Sequence, residues 1–370
     1  MEYRLDEIFD LQMGKTPSRN NPEYWDSEDY KWISIADLSK CGKYIEETKE
    51  YLSDKAVNES GISLIPANTV IMSFKLSIGK TAITSEPMYS NEAIMSFRDK
   101  HVVELLPDYV YYLFSGRNWE VGTNKAVMGK TLNKATLSGV MVSIHDIVKQ
   151  HEIVEVLDKL SSVIDNRQQE IDKLDELIKA RFVELFGDPV LNEKGWETRP
   201  FLDMGSCKNG MNFHYDDSGV ELNCLGVGDF KDYSVITNTE LLPTVSLNEM
   251  PSEEYLLRDD DIVFVRSNGN KALVGRSVAV YPGNTPTTFS GFCIRYRKHD
   301  DGITIPYLLR VLKADSIRKK MAGRGANIQN LNQQILGTLI IPVPPLDLQK
   351  QFADFVKHVD KSKVVDIKTA

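Results

Sequence analysis

The chain has 370 residues, 42% of them hydrophobic, which is enough for two ordinary domains with separate cores. Without a run near the roughly 20 apolar residues of a membrane span, a signal-peptide start, or a C-x-x-C pair among Cys41, Cys207, Cys224 and Cys293, the composition excludes membrane, disulfide-scaffold and zinc-site classes and points to a cytoplasmic protein. The net charge of −9 excludes a uniformly basic nucleic-acid binder, so positive charge has to be sought segment by segment.

In chain order, short β-branched runs bounded by Gly, Asn and Pro predict strands at residues 31–35, 69–74 and 81–84. Pro107-Asp108 opens a helix, since proline suits a first helical turn, and a polar loop leads from it to a strand at 140–144. From about Asp146 to Phe186 there is no proline or glycine. Leu157, Ile164, Ile171, Ile178 and Leu185 recur every seven residues there, Leu160 and Leu174 fill two of the intervening seam positions, and Arg167 and Arg181 the other two. A seam of this length predicts a coiled-coil helix, about 60 Å long at roughly 1.5 Å per residue. Gly187-Asp188-Pro189 ends it. The first pattern then returns: strands at 261–266 and 276–281, a helix opened by Pro306, a strand at 339–343, and a second helix from Leu346 to about Ile367. Phe352, Val356 and Val359 mark its apolar stripe.

The return is an internal repeat. Trp32-Ile33-Ser34-Ile35-Ala36-Asp37-Leu38 pairs with Cys224-Leu225-Gly226-Val227-Gly228-Asp229-Phe230, and Asn68-Thr69-Val70-Ile71-Met72 with Asp260-Asp261-Ile262-Val263-Phe264. Gly79-Lys80-Thr81-Ala82 matches Gly275-Arg276-Ser277-Val278, and Tyr112-Leu113-Phe114 is set opposite Tyr307-Leu308-Leu309. Leu132 through Gln150 pairs with Leu331 through Gln349 without a gap. Five pairs in one order predict a duplication. The expected fold is α+β, with two repeated α/β domains at 1–144 and 188–345, a spacer helix at 145–187 and a shorter helix at 346–370. If a pseudo-two-fold axis relates the repeats, the two helices run antiparallel and the domains lie at opposite ends. A helical hairpin packed inside one domain is the alternative.

The repeat, the Phe186-Gly187-Asp188-Pro189 helix end, and Ile340-Ile341-Pro342-Val343-Pro344-Pro345-Leu346 leading to Gln349 and Gln351 together resemble the specificity subunits of type I restriction–modification systems. Leu5-Asp6-Glu7-Ile8-Phe9 and Met13-Gly14-Lys15-Thr16-Pro17-Ser18 look like the opening of such a recognition domain. The resemblance implies a non-catalytic reader of a bipartite site in double-stranded DNA, two methyltransferase subunits docked on the helices, and a motor–nuclease subunit completing the assembly. It also implies no cofactor in this chain, with S-adenosylmethionine, ATP and magnesium held by the partners. The C-terminal helix is shorter than the central one, so the seam from Ile171 to Leu185 is expected to need cover from a methyltransferase helix or a second copy.

Phosphate contacts position a protein on DNA, and Arg, Lys, Asn and Gln read base edges. Candidate loops in the first half carry Lys15, Thr16, Ser18 and Arg19, then Lys75, Ser77 and Lys80, then Asn124, Lys125 and Lys130. In the second half they carry Lys208 and Asn209, then Arg266, Ser267, Asn268, Asn270 and Lys271. A further run holds Arg318, Lys319, Lys320 and Arg324, with Asn327, Gln329 and Asn330 beyond it. These loops hold Lys and Arg with almost no Asp or Glu, although such loops are also ordinary solvated turns.

An independent enzyme is less well supported. Asn21-Pro22-Glu23-Tyr24 is similar to the amino-methyltransferase motif Asn-Pro-Pro-Tyr, but Glu23 replaces the second proline and no Gly-rich cofactor loop accompanies it. No G-x-x-x-x-G-K-[ST] or G-x-S-x-G occurs, and the histidines lack metal spacing. A divergent DNA methyltransferase or nuclease, and a two-headed protein-binding scaffold, are the competing readings.

Overall fold

The computed structural model describes residues 1–75, 77–119, 132–213, 218–230, 234–322 and 330–368, the last five as backbone only. It divides into two compact units, Met1–Asn166 and Arg167–Ala370. Among the described residues no helix is long and apolar enough to cross a membrane.

Unit 1 begins with β1 (Glu2–Arg4), α1 (Leu5–Ile8), β2 (Phe9–Met13), β3 (Tyr30–Ile33) and α2 (Ile35–Leu38). It continues with β4 (Tyr44–Ile45), β5 (Glu50–Leu52), α3 (Asp54–Ser60), β6 (Val70–Ser73), β7 (Thr81–Thr84), β8 (Tyr89–Ser90) and β9 (Ile94–Asp99). Then come α4 (Pro107–Ser115), α5 (Lys134–Ser138), β10 (Met141–Ser143) and α6 (Ile147–Phe186), within which the division between the units falls. Unit 2 adds β11 (Thr198–Pro200), β12 (Gly205–Asn209), β13 (Val220–Leu225), β14 (Val235–Ile236), β15 (Thr244–Leu247), β16 (Asp261–Val265), β17 (Ser277–Val280), β18 (Thr287–Phe289) and β19 (Cys293–Lys298). It closes with α7 (Ile305–Lys313), α8 (Asp315–Ala322), α9 (Gln333–Gly337), β20 (Ile340–Pro342) and α10 (Leu346–Lys368).

The two units share one topology. A five-stranded sheet runs β2-β9-β6-β7-β4 in unit 1 and β12-β19-β16-β17-β14 in unit 2. A three-stranded sheet runs β5-β3-β8 and β15-β13-β18, and β1-β10 and β11-β20 form the third sheets. The central strands explain their own sequences. Val70 and Met72 face one core and Ile71 another, so β6 is apolar at successive positions because both of its faces are covered. Ile262 and Phe264 alternate with Val263 and Val265 in the same way in β16.

Backbone details confirm the duplication residue by residue. Asn68 and Asp260 both take left-handed conformations, at φ 56° and 68°, before the equivalent strands β6 and β16. Asn133 caps α5 and Asn332 caps α9 through their side chains. Gln150 accepts from the Leu106 N–H at 3.0 Å and Gln349 from the Thr304 N–H at 2.9 Å, and both glutamines are fully buried. One pair in the sequence alignment needs correction. The Tyr109 hydroxyl donates to the Ser143 carbonyl and the Tyr307 hydroxyl to the Pro342 carbonyl, so Tyr307 matches Tyr109, three residues before Tyr112. The recurring Tyr-Leu pair had drawn the alignment one helical turn out of place.

The long helix has the antiparallel partner expected from the repeat, but along a different stretch than expected. In unit 2, Phe182 and Phe186 of α6 pack on Phe352 of α10, each pair of ring centroids 5.6 Å apart, and on Tyr307 of α7. Lys363 of α10 meets Asp175 of α6 at 2.6 Å. Contacts that advance along α10 while retreating along α6 make this pair antiparallel. Ile178 is buried and Leu174, Leu185 and Val356 pack against the same core, so much of the segment expected to lack cover has it. Leu160 and Ile164 are instead 53% and 59% exposed, and Val163 is exposed beside them. Phe352 in the second turn of α10 meets Phe182 and Phe186, and by Lys363 α10 has reached only Asp175, so the described contacts of α10 fall on the end of α6.

Candidate nucleic-acid interface

Strands β2 and β6 both run antiparallel to β9, so the ends of the first two and the start of the third share one edge of the sheet. Three backbone hydrogen bonds tie the loops there: Gly14 N–H to Ile94, Lys15 N–H to Ser90 and Phe74 N–H to Ala93, at 2.8–3.1 Å. Unit 2 repeats them as Gly210 to Cys293, Met211 to Phe289 and Arg266 to Phe292, at 2.7–3.1 Å. Leu132 and Leu331 then donate to Phe74 and Arg266. Glycine is required at the crossing, because a Cβ would lie 2.3 Å from the Asn91 and Ser90 oxygens at Gly14 and 2.1 Å from the Ser290 oxygen at Gly210.

This edge brings together, within each unit, most of the expected contact residues that are described. In unit 1 it gathers Lys15, Thr16, Ser18 and Arg19 with Lys75, Ser77 and Lys80. In unit 2 it gathers Lys208 and Asn209 with Arg266, Ser267, Asn268, Asn270 and Lys271. Arg318 joins them by donating to the Val274 carbonyl at 3.1 Å, and Asn330 lies beside the Leu331 contact. Lys319 and Lys320 are exposed on α8. Asn124, Lys125, Lys130, Arg324, Asn327 and Gln329 lie outside the described residues.

The gathered side chains are not electrostatically alike. Arg19 pairs with Glu50 and lies 3.7 Å from the Trp25 ring centroid and 4.9 Å from that of Trp32. Its hydrogen bond to Glu50 raises its pKa further, although burial opposes this. Lys208 is held by Glu254 at 2.5 Å over the Tyr255 ring, Thr16 donates to Glu92, and Lys15 donates to the Ser60 carbonyl. These groups lie at the surface but are tied to partners in the protein itself. Lys80, Lys271, Lys319 and Lys320 form no ion pair among the described residues and have charge to offer a partner. Arg266 is intermediate: half-buried, it reaches the Gly291 carbonyl at 3.4 Å.

The repeats differ at this edge. Phe74, buried in unit 1, is matched by Arg266 in unit 2, and Ala93 by Phe292, which is 61% exposed. Sequence reasoning missed Phe292 because an aromatic residue just before a core strand reads as part of that core. The Asn21–Tyr24 motif forms a capped turn: Asn21 accepts the Glu23 N–H at 3.3 Å, Glu23 pairs with Lys55, and the Tyr24 hydroxyl donates to Glu59 at 2.8 Å. Its amide oxygen is thus engaged in the turn.

The sequence profile described as the type I restriction modification DNA specificity domain matches residues 1–176 and 193–369, once for each repeat. The chain belongs to that family. Among curated relatives of this specificity family, the chain is 26% identical to the type I restriction enzyme MjaIX specificity subunit of Methanocaldococcus jannaschii, over 56% of this chain and 52% of the relative. It is 24% identical to the EcoR124I/EcoR124II specificity subunit of Escherichia coli, over 48% of this chain and 45% of the relative. It is 23% identical to the StySPI specificity subunit of Salmonella potsdam, over 90% of this chain and 75% of that one. The matches thus span about half the length of the first two relatives. Two solved structures share the fold: the S subunit of the type I system from M. genitalium, with a TM-score of 0.51 at 15% identity, covers 100% of this chain and 91% of its own. A chain from structural work on complex assembly and conformational transition of the type I R-M system has a TM-score of 0.54 at 14% identity, covering 100% and 93%.

Proposed function

We propose that this specificity-family chain reads a bipartite site in double-stranded DNA, each unit contacting one half-site through the loop edge just described. The observation that carries the reading is the recurrence of one loop framework with different side chains on it. Gly14 and Gly210 make the same crossing and Leu132 and Leu331 the same bond, while Phe74 gives way to Arg266 and Ala93 to Phe292. A shared frame with divergent tips suits two readers of different sequences. Phosphate contacts fall to Lys80, Lys271, Lys319 and Lys320, and base-edge contacts to Arg266, Ser267 and Asn268. The chain supplies recognition and no chemistry. Methyltransferase subunits and a motor–nuclease subunit bring S-adenosylmethionine, ATP and magnesium, and the exposed Leu160–Ile164 stretch of α6 offers the methyltransferase an apolar surface.

The test is reconstitution. The purified chain alone should neither methylate nor cleave DNA, and mixing it with its methyltransferase subunit should yield adenine methylation at one bipartite sequence. Arg266→Ala should then relax one half-site only, at a cost of about 1–3 kcal/mol. Methylation or cleavage by the chain alone would overturn the reading in favour of a catalytic protein. Equal weakening at both half-sites would remove Arg266 from the base contacts.

A further inference from the structure

In both units the helix that follows the large sheet lies over one pair of sheet strands and against the start of a long helix. In unit 1 a network of side chains bridges the junction of α4, β4, β7 and α6. Lys43 reaches Asp108 and, at 2.6 Å, Asp158. Tyr44 donates to Asp108 at 2.7 Å and Tyr112 to Asp158 at 2.5 Å, and Lys43 lies 4.8 Å from the Tyr112 ring centroid. Two carboxylates and two phenols thus close the space around one cation.

Backbone register identifies the matching residues in unit 2. Ile83 donates to the Lys43 carbonyl as Ala279 does to that of Ser234, both at 2.9 Å. Tyr44 pairs with Ile83 as Val235 pairs with Ala279. The glutamine bonds to Leu106 and Thr304 align α4 with α7 and the start of α6 with that of α10. Lys43, Tyr44, Asp108, Tyr112 and Asp158 therefore become Ser234, Val235, Pro306, Arg310 and Lys357. Both carboxylates and both phenols are gone, and a cavity of about 670 Å³ takes their place.

The floor of this cavity is apolar, from Ile178, Ala279, Leu309, Phe352 and Val356. Among the described residues, five cations line it, Arg310, Lys313, Lys357, Lys361 and Lys363, against two acids, Asp175 and Asp360, leaving three positive charges in excess (5 − 2). Lys363 already holds both acids, at 2.6 and 3.1 Å. Arg310 makes no hydrogen bond or ion pair among the described residues, and Lys313 donates to the Ser234 hydroxyl at 2.7 Å. Asp175 attracts both Arg310 and Lys313 but is bonded to Lys363, so these half-buried cations above an apolar floor are only partly compensated, which is costly. Burial, reinforced by Arg310, pulls the Lys313 ammonium down to about 8.

We propose that unit 2 binds a small amphiphilic anion in this cavity. Its carboxylate, sulfonate or phosphate head meets Arg310 and Lys313, and its ring or acyl body lies on Leu309, Phe352 and Val356. The anion supplies from outside the negative charge that Asp108 and Asp158 supply within unit 1. The volume falls within the roughly 300–1,000 Å³ of small-molecule sites, and the lining, mostly apolar with a few convergent polar groups, has their character. The proposal stands independently of the DNA reading.

The probe is 8-anilinonaphthalene-1-sulfonate, titrated into the full chain by fluorescence and calorimetry beside its uncharged analogue N-phenyl-1-naphthylamine. One saturable site per chain is expected for the sulfonate. Arg310→Gln with Lys313→Gln should weaken it about 10-fold or more, as expected for loss of charge-assisted contacts, while leaving the uncharged dye unchanged. Ala353→Trp, which fills the floor without changing charge, should remove both dyes, and circular dichroism on each variant establishes that it is folded. Decanoate should displace the sulfonate where equal inorganic phosphate does not. Non-saturable binding, an affinity unmoved by the charge variant, or displacement by phosphate alone would each overturn the proposal.

Discussion

Asp261 shows how much can rest on one side chain. It is fully buried, accepts both Nε and Nη2 of Arg297 at 2.7–2.8 Å, and accepts the Arg258 N–H at 2.8 Å. Arg295 lies 3.9 Å away, buried, with Nε and Nη1 unbonded among the described residues. Removing the only buried carboxylate of such a cluster leaves cations without compensation, so Asp261→Asn should cost unit 2 about 3 kcal/mol, read from its denaturant midpoint. A loss under about 1 kcal/mol would mean that Arg297 turns to solvent instead. Asp158 gives the pH counterpart in unit 1. Burial opposes its charge, but hydrogen bonds from Lys43 and Tyr112 outweigh that effect and hold its carboxyl below the usual range. A folded pKa below the unfolded one gives stability that is present above the unfolded value and lost as pH falls through the folded one. Unit 1 should therefore weaken below about pH 4, and Asp158→Asn should flatten that acid limb in melts across the range. An unchanged limb would assign the loss to other carboxylates. Asp261 ends the acidic run Asp259–Asp261 at the turn before β16, a place where acidic residues are ordinary. The buried role of Asp261 was hidden because its guanidinium partners, Arg295 and Arg297, lie more than 30 residues away in sequence.

At the scale of elements, α6 is the part most legible in the sequence and also the part most misread. Its bounds follow from the absence of Gly and Pro before Gly187, and the observed Ile147–Phe186 departs from the expected start by one residue. Heptad spacing shows which face is apolar but not which stretch of that face is covered. Cover depends on where α10 starts and on Tyr307 of α7, and both are set by tertiary contacts. The distinction can be measured. Ile178→Ala, at a site 8% exposed, should cost about 2–5 kcal/mol. Leu160→Ala, at a site 53% exposed, should fall within about 0.5 kcal/mol of wild type in the isolated chain. Equal costs would mean that the middle of the helix is covered in solution. The loop edge was legible as a set of basic segments. The pairing of Lys208 with Glu254 and the Arg19–Trp25 stack were not, because each joins residues distant in sequence or hidden in an irregular loop.

For the whole molecule, the repeated strand order makes each unit a complete fold with its own cores. Phe264→Ala should therefore cost about 3–5 kcal/mol in unit 2 and leave amide exchange of β6 and β9 in unit 1 unchanged. Faster exchange in both units would show that the chain unfolds as one cooperative body. The shared frame has an evolutionary consequence. Gln150 and Gln349, Asn68 and Asp260, and Gly14 and Gly210 hold the same posts in both halves, whereas Phe74 and Arg266 occupy one post with opposite chemistry. Inheritance can therefore vary the tips one codon at a time while the frame beneath them is kept, and each half can drift toward a new target on its own schedule.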